Sequence, residues 1–169
     1  MTVRRLGEAD FDAILSVVND GAEAYRGVIP ADCWKDPYMP AEELREEMKA
    51  GVEFRGLEKD RELVGVAGRQ DLDEVTLIRH AYVRTAWQRR GVGGALLAAL
   101  LEDAELPVLV GTWASASWTV AFYEKHGFRL VSTGEKERLL RAYWSIPARQ
   151  IETSVVLELP TAETSLRHA

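Results

Sequence analysis

Three glycines, Gly91, Gly93 and Gly94, fall within four positions of the stretch QRRGVGGALLAALLEDAEL, just before a run of strong helical periodicity. Val92, Ala95, Leu96, Ala99 and Leu100 follow the i, i+3, i+4, i+7, i+8 rule, and Leu97 and Leu101 widen the stripe, so the spacing predicts a largely buried helix. Glycine weakens a helix interior, so its use at the opening calls for another reason. The first-turn amides of a helix have no carbonyl partner within it and carry partial positive charge. Glycine lets an anion reach them without striking a Cβ. Arg84, Arg89 and Arg90 add basic side chains around the same turn, and a pyrophosphate suits the combination. The same spacing also fits a tight turn with close packing of helix on strand. A dinucleotide-binding GxGxxG would put its third glycine at Leu96, and a P-loop would need Gly-Lys followed by Ser or Thr; neither is present.

The elements that must position this turn follow from the remaining pattern. Thr2 to Leu6 reads as a strand, followed by a helix on which Phe11, Ile14, Leu15 and Val18 share a face. From Tyr25 to Pro40, Gly27, Pro30, Pro37 and Pro40 break any period, which predicts an aromatic-rich loop. Pro40 then suits a first helical turn, Leu44 and Met48 share a face, and Gly51 offers a left-handed stop. Glu53–Glu58, Glu62–Gln70 and Glu74–Val83 read as three strands joined by polar turns, which implies an antiparallel meander. Beyond the glycine-led helix come a strand over Pro107–Thr112, a helix over Ser117–Lys125 ended by Gly127, and a strand over Phe128–Ser132. Glu135–Tyr143 then reads as helix and Thr153–Leu159 as a last strand. This order implies an α/β or α+β sandwich in which helices cover a mixed sheet.

The length of 169 residues predicts one domain over residues 1–160, with a loose tail over 161–169. A hydrophobic share of 47% beside 28% charged residues predicts a compact globular chain. The formal charge of -6 argues against a nucleic-acid partner, which would need a basic surface to displace counterions. Cys33 has no partner for a disulfide and MTVRRLGEAD lacks the apolar centre of a signal peptide, so a cytoplasmic location is expected. No apolar run approaches the roughly 20 residues needed to cross a bilayer, so no membrane role is expected. His80, His126 and His168 are too scattered for a metal site.

Two segments carry a resemblance. Gln88-Arg89-Arg90-Gly91-Val92-Gly93, directly after a strand ending in Ala81-Tyr82-Val83, matches the signature Gln/Arg-x-x-Gly-x-Gly/Ala. Phe122-Tyr123-Glu124-Lys125-His126-Gly127-Phe128 matches FYEKxGF, a helix end passing into a strand. On both motifs, in this order of elements, nearly the whole chain resembles the GNAT superfamily of acyl-CoA-dependent N-acyltransferases. The resemblance implies a GNAT-like mixed, mostly antiparallel central sheet of about seven strands flanked by helices. It implies acetyl-CoA as cosubstrate and no metal. Its pyrophosphate would lie on the main chain of Gln88, Arg89, Arg90, Gly91, Val92, Gly93, Gly94 and Ala95, and its pantetheine arm on that of Ala81, Tyr82 and Val83. Members usually carry an Asn seven residues before the helical Tyr. This chain has Ala116 there, and Ser115 is the candidate replacement contact.

The activity so implied moves an acetyl group from acetyl-CoA directly to a primary amine of a small molecule or to an exposed amino group. Such a transfer needs a neutral nitrogen, a pocket for the developing oxyanion and a proton for the departing thiolate. The resemblance makes Tyr123 the acid, which its ordinary pKa of about 10 keeps protonated; taken alone, a Tyr beside Phe122 on a packed helix reads as core. A main-chain amide at Ala81 or Tyr82 would hold the oxyanion. His80 is the first candidate base and Glu74 the second. Strand alternation turns His80 to the opposite face if Leu77 and Arg79 face the acceptor, and a structural histidine bonded to a carbonyl fits as well. The acceptor would come in over the loop between the first two helices, past Tyr25, Arg26, Asp32, Trp34 and Tyr38, with Arg79 nearby. That loop reads equally as a lid of packed aromatics. Cys33, without a partner base, reads as a small buried residue. The basic, aromatic run from Arg138 to Glu152 fits an acceptor wall, an amphipathic helix and loop, or a surface packed on its own core or on a twin subunit in a homodimer. The alternative to an enzyme is a noncatalytic acyl-CoA-binding sensor or interaction module that keeps the cofactor site.

Overall fold

A computed structural model describes residues 2–161; the tail expected to be loose lies, from residue 162 onward, outside the described residues. Seven strands form one sheet. They are β1 (Thr2–Arg5), β2 (Glu53–Lys59), β3 (Glu62–Asp71), β4 (Thr76–Val83), β5 (Val108–Trp113), β6 (Arg129–Leu130) and β7 (Ser154–Leu159), in the order β1-β2-β3-β4-β5-β7-β6. Only β4 and β5 run parallel, and every other neighbouring pair is antiparallel. The helices are α1 (Phe11–Gly21), α2 (Ala41–Lys49), α3 (Val92–Leu101), α4 (Ser117–Lys125), α5 (Thr133–Tyr143) and α6 (Ala148–Glu152). A parallel pair needs a crossover connection, and α3, between β4 and β5, supplies it.

Apolar side chains divide between the two faces of the sheet. The α3 stripe of Val92, Leu96, Leu97 and Leu100 packs on Leu57, Val64 and Ile78. On the other face, Ile14, Val17 and Val18 of α1 and Leu44 of α2 cover Phe54 and Val66. Leu139, Leu140 and Ile151 of α5 and α6 cover Leu77, Leu109 and Val156. Thus β4 sends Ile78 to α3 and Leu77 to α5, and the centre of the sheet is buried on both sides, as a parallel pair requires.

Two expectations change. The strand expected over Phe128–Ser132 shrinks to Arg129–Leu130, because the Ser132 hydroxyl accepts from the Glu135 amide at 3.2 Å and starts α5 at Thr133. The strict alternation expected along β4 fails at a bulge. Val66 pairs with Tyr82 and Gly68 with Arg79, leaving His80 and Ala81 together opposite Ala67. His80 takes φ +55°, a left-handed conformation rare for a residue with a side chain. Gly68 permits the close approach, since a Cβ there would lie 2.7 Å from the Arg79 carbonyl oxygen.

Candidate active site

The pairing of β4 with β5 runs only from Thr76 opposite Val108 to Ile78 opposite Val110. Past that point β4 stays with β3 while β5 stays with β7, so the two strands part and leave a wedge in the middle of the sheet. A cavity of about 780 Å³, walled by α3 and α4, opens on one side of the wedge. Another of about 480 Å³, walled by α2, the loop before it and the α5–α6 turn, opens on the other. Tyr25, Ile78 and Tyr82 border both.

At the outer end of the larger cavity, α3 begins without a side-chain cap, because the capping position is Gly91 at φ +83°. No cap therefore claims the first-turn amides of Val92, Gly93 and Gly94. The loop leading in is shaped by Arg89 at φ +62° and tied to β4 by Gln88 Nε2 donating to the Val83 carbonyl at 3.3 Å. Across the gap stands α4: a Cβ on Gly93 would lie 3.4 Å from Phe122, and one on Gly94 would lie 3.5 Å from His126 Nε2. His126 Nδ1 is held by the Phe122 carbonyl at 2.9 Å, which leaves Nε2 toward the gap. Arg90 stacks over Trp87, 5.0 Å from the ring centroid. Arg84 does not join this turn. Its guanidinium donates to the Leu63 carbonyl at 2.8 Å and to Ser16 at 3.1 Å.

Farther in, Tyr123 borders the same cavity with 4% of its surface exposed. Its ring meets Phe122 and Phe128 edge-on at 5.1 and 5.3 Å. Burial, with Tyr25 nearby, pushes its hydroxyl well above the ordinary tyrosine value, and no hydrogen bond within the described residues offsets this. The group is a neutral donor with its proton free for a ligand.

The smaller cavity contains one tight polar cluster. The bulge turns both Arg79 and His80 toward it, and Glu47 reaches them from α2. Glu47 Oε1 accepts from Arg79 at 3.0 Å while Oε2 meets His80 Nε2, all three side chains being 16–17% exposed. Burial opposes the charge on Glu47, but the hydrogen bond and charge of His80, with the charge of Arg79, outweigh it and hold the carboxyl below its usual value. A carboxyl depressed in the folded state stabilises the fold fully above its unfolded value of 4.5 and loses that contribution as pH falls through its folded value. The gap in melting temperature between wild type and Glu47→Gln should therefore be wide at neutral pH and close as the pH falls below 4.5, which a pH series of thermal melts checks.

Aromatic rings complete the walls. Tyr25, Tyr38 and Tyr82 pack with centroids 5.8 to 6.2 Å apart. The Tyr38 hydroxyl, which accepts from Trp113 Nε1 at 2.8 Å, is pushed up to about 12 by burial. At the rim Asp32 pairs with Arg149 at 2.8 Å and Lys35 with Glu43 at 3.4 Å.

The residues singled out in the sequence fall into three groups. Ala81, Tyr82, Val83, Gln88, Arg89, Gly91, Val92, Gly93, Gly94 and Tyr123 border the larger cavity, with Arg90 and Ala95 beside it. Tyr25, Asp32, Cys33, Tyr38, Arg79 and His80 border the smaller one. The rest are not brought to the wedge. Glu74 is exposed in the turn before β4, where it accepts from the Tyr143 hydroxyl at 3.1 Å. Ser115 is exposed between β5 and α4, outside both cavities. Arg26 lies over the Trp34 ring at 4.5 Å and binds Glu23 at 2.9 Å, so both aromatic and cation serve the loop itself. Sequence reasoning missed Glu47, whereas the run Arg138 to Glu152, one reading of which is an acceptor wall, does reach the smaller cavity through Trp144, Ile146 and Arg149. Glu47 had a legible signal, a carboxylate three residues after Leu44 on the inward stripe of an otherwise charged helix.

Residues 18–142, from α1 into α5, match the model of the acetyltransferase (GNAT) domain family. Comparison with curated proteins gives no match. Among solved structures the chain is similar to the PaiA N-acetyltransferase of Thermoplasma acidophilum in complex with coenzyme A, with 16% identity and a TM-score of 0.68 over 95% of this chain and 98% of that one. An acetyltransferase of the GNAT family from Staphylococcus aureus Mu50 gives 14% identity and a TM-score of 0.71 over 94% and 98%. A GNAT family acetyltransferase from Elizabethkingia anophelis with acetyl-CoA bound gives 19% and 0.61 over 95% and 97%. At these identities the likeness shows a common fold. The family match takes in the parted strands, the uncapped start of α3 and the whole of α4, and on it the chain belongs to the GNAT acetyltransferase family.

Proposed function

We propose that the chain is an N-acetyltransferase that carries an acetyl group from acetyl-CoA directly to a primary amine. The observation that carries this reading is the wedge, where two cavities of separate character meet near a tyrosine hydroxyl without a hydrogen bond among the described residues. The larger cavity fits the cosubstrate because its outer end is an uncapped helix start without Cβ atoms in the gap, a natural seat for a diphosphate. The amides of Val92, Gly93 and Gly94 would hold that diphosphate, with Arg89 beside it. Past Ile78 no strand pairs with β4 on its β5 side, so main-chain groups of Ala81 and Tyr82 are available to an extended arm, and the Val83 carbonyl would be shared with Gln88 Nε2. Acetyl-CoA supplies an acetyl thioester, whose carbonyl carbon takes the amine's lone pair as the C–S bond breaks to leave a thiolate.

The chain's own groups then have separate tasks. A main-chain amide at Ala81 or Tyr82 faces the developing oxyanion. Tyr123 donates to the thiolate as it forms, and His80, bordering the acceptor cavity, takes the proton that the amine loses. The test is thiol release from acetyl-CoA across a panel of small amines and peptides, beside a melting-temperature shift with coenzyme A. Turnover with an amine and a shift with coenzyme A support the reading. A shift without turnover on any amine favours a noncatalytic acyl-CoA sensor, and no shift removes both.

A further inference from the structure

Resting on the acetyltransferase reading, we propose that Glu47 is a positioning residue that holds His80 in the tautomer able to accept the amine's proton. Three observations converge on it. First, the bulge in β4 places His80 at φ +55°, and it is this distortion that turns His80 to the Arg79 side, which regular alternation would deny it. Second, the Glu47 carboxylate is divided: Arg79 takes Oε1, so Oε2 is directed at His80 Nε2. Third, the imidazole lies nearly parallel to the Phe54 ring, 23° between planes with centroids 6.5 Å apart, which limits its rotation.

A carboxylate only accepts, so the proton of neutral His80 sits on Nε2 and the lone pair on Nδ1. The contact with Glu47 is an ion pair at Nε2, and no hydrogen bond from the described residues reaches Nδ1. When Nδ1 takes a proton from the amine, the imidazolium that results stays paired with Glu47, and charge is conserved within the cluster. The other charged and titratable groups lining this cavity are Arg79 from β4, Lys35 and Glu43, which pair with each other, Asp32 and Arg149, which do the same, Cys33, and the tyrosines Tyr25, Tyr38 and Tyr82. None of these competes for Nε2. The arrangement has the logic of a carboxylate that orients a histidine without itself becoming protonated.

A clasp that merely staples α2 to β4 would show the same contacts, so the test uses readouts that stapling does not move. Glu47→Gln keeps the shape and Arg79's partner while removing the charge. With an amine that wild type accepts, it should lower kcat about tenfold at nearly constant KM, because the amide no longer holds the His80 proton on Nε2. In a His80→Gln background the same change should add nothing, since the two residues act as a unit. A variant with a lowered melting temperature but wild-type kcat overturns the proposal. Independently of turnover, nitrogen-15 spectra of the imidazole should show the proton on Nε2 in wild type and on Nδ1 in Glu47→Gln, whose oxygen stays on Arg79 and whose NH2 then donates to Nε2; a mixed population in wild type overturns it. If wild type shows the Nε2 proton yet acetylates no amine, the acetyltransferase reading fails and takes the proton-acceptor role with it, while the tautomer lock stands.

Discussion

Tyr123→Phe is expected to reduce acetyl transfer about a thousandfold while leaving coenzyme A affinity within a few-fold and the melting temperature unchanged. The separation of these effects follows from how the side chain is divided. The ring belongs to the core, edge-on to Phe122 and Phe128, and phenylalanine keeps those contacts. The hydroxyl has no hydrogen-bond partner among the described residues, so removing it orphans no buried group there. Its one use is toward the cavity. Because burial raises its pKa, the group stays protonated across the working range. A thiolate forming in the same dry cavity is equally short of solvent, so a hydrogen bond from the neutral hydroxyl stabilises it as the C–S bond breaks, whether or not the proton has fully moved. Thiol release against time, set beside calorimetric binding of coenzyme A, checks the prediction. A kcat within threefold of wild type would remove Tyr123 from the chemistry and leave it a core residue.

Much of this site was legible in the sequence, for reasons tied to particular residues. The α3 stripe from Val92 to Leu100 is so apolar that the helix had to be buried, and the glycines before it had to mark its start. Gly51 and Gly127, both at positive φ, end α2 and α4 where the pattern placed them. What could not be read was anything set by pairing across strands. Alternation is a local rule, and it sent His80 away from Arg79. The bulge that reverses this depends on Gly68 of β3, whose missing Cβ lets the Arg79 carbonyl approach. Likewise, Glu74 and His80 lie six residues apart on one segment, yet β4 carries them to opposite ends, one in a solvent-facing turn and the other beside the wedge. The short β6 was overestimated because an apolar pair reads as strand until a cap ends it, and Ser132 is that cap.

The wedge also explains why so few side chains are needed. Its width comes from β4 and β5 choosing different partners, a property of topology rather than of any one residue. Two ligands can meet through the sheet without a hole in the core, because Ile78 and Tyr82 border both cavities. On the proposed reaction, the side-chain chemistry reduces to a donor on the α4 side and an acceptor on the α2 side.

Gly91→Val is expected to weaken coenzyme A binding about a hundredfold, with Gly91→Asn within a few-fold of wild type. Space is not the reason, since a Cβ at this position would meet nothing within 4 Å. The backbone is: at φ +83° a β-branched residue is strained by roughly 1–2 kcal/mol, whereas asparagine visits this region readily. Valine relieves the strain by moving toward negative φ, and that rotation re-aims the amides of Val92, Gly93 and Gly94 away from one point. Losing one or two hydrogen bonds to a charged group, at about 1.5–3 kcal/mol each, gives the stated factor. Unliganded melting temperatures separate the strain from the lost grip, because strain lowers the melting point of the free chain while the grip appears only in the ligand-induced shift. Inorganic pyrophosphate should show the same order among the three proteins, since the seat is for the diphosphate. Equal affinity in wild type and Gly91→Val would mean that the amides are not what holds the anion, and the attraction would then have to come from Arg89 and Arg90, with a correspondingly steep dependence on salt.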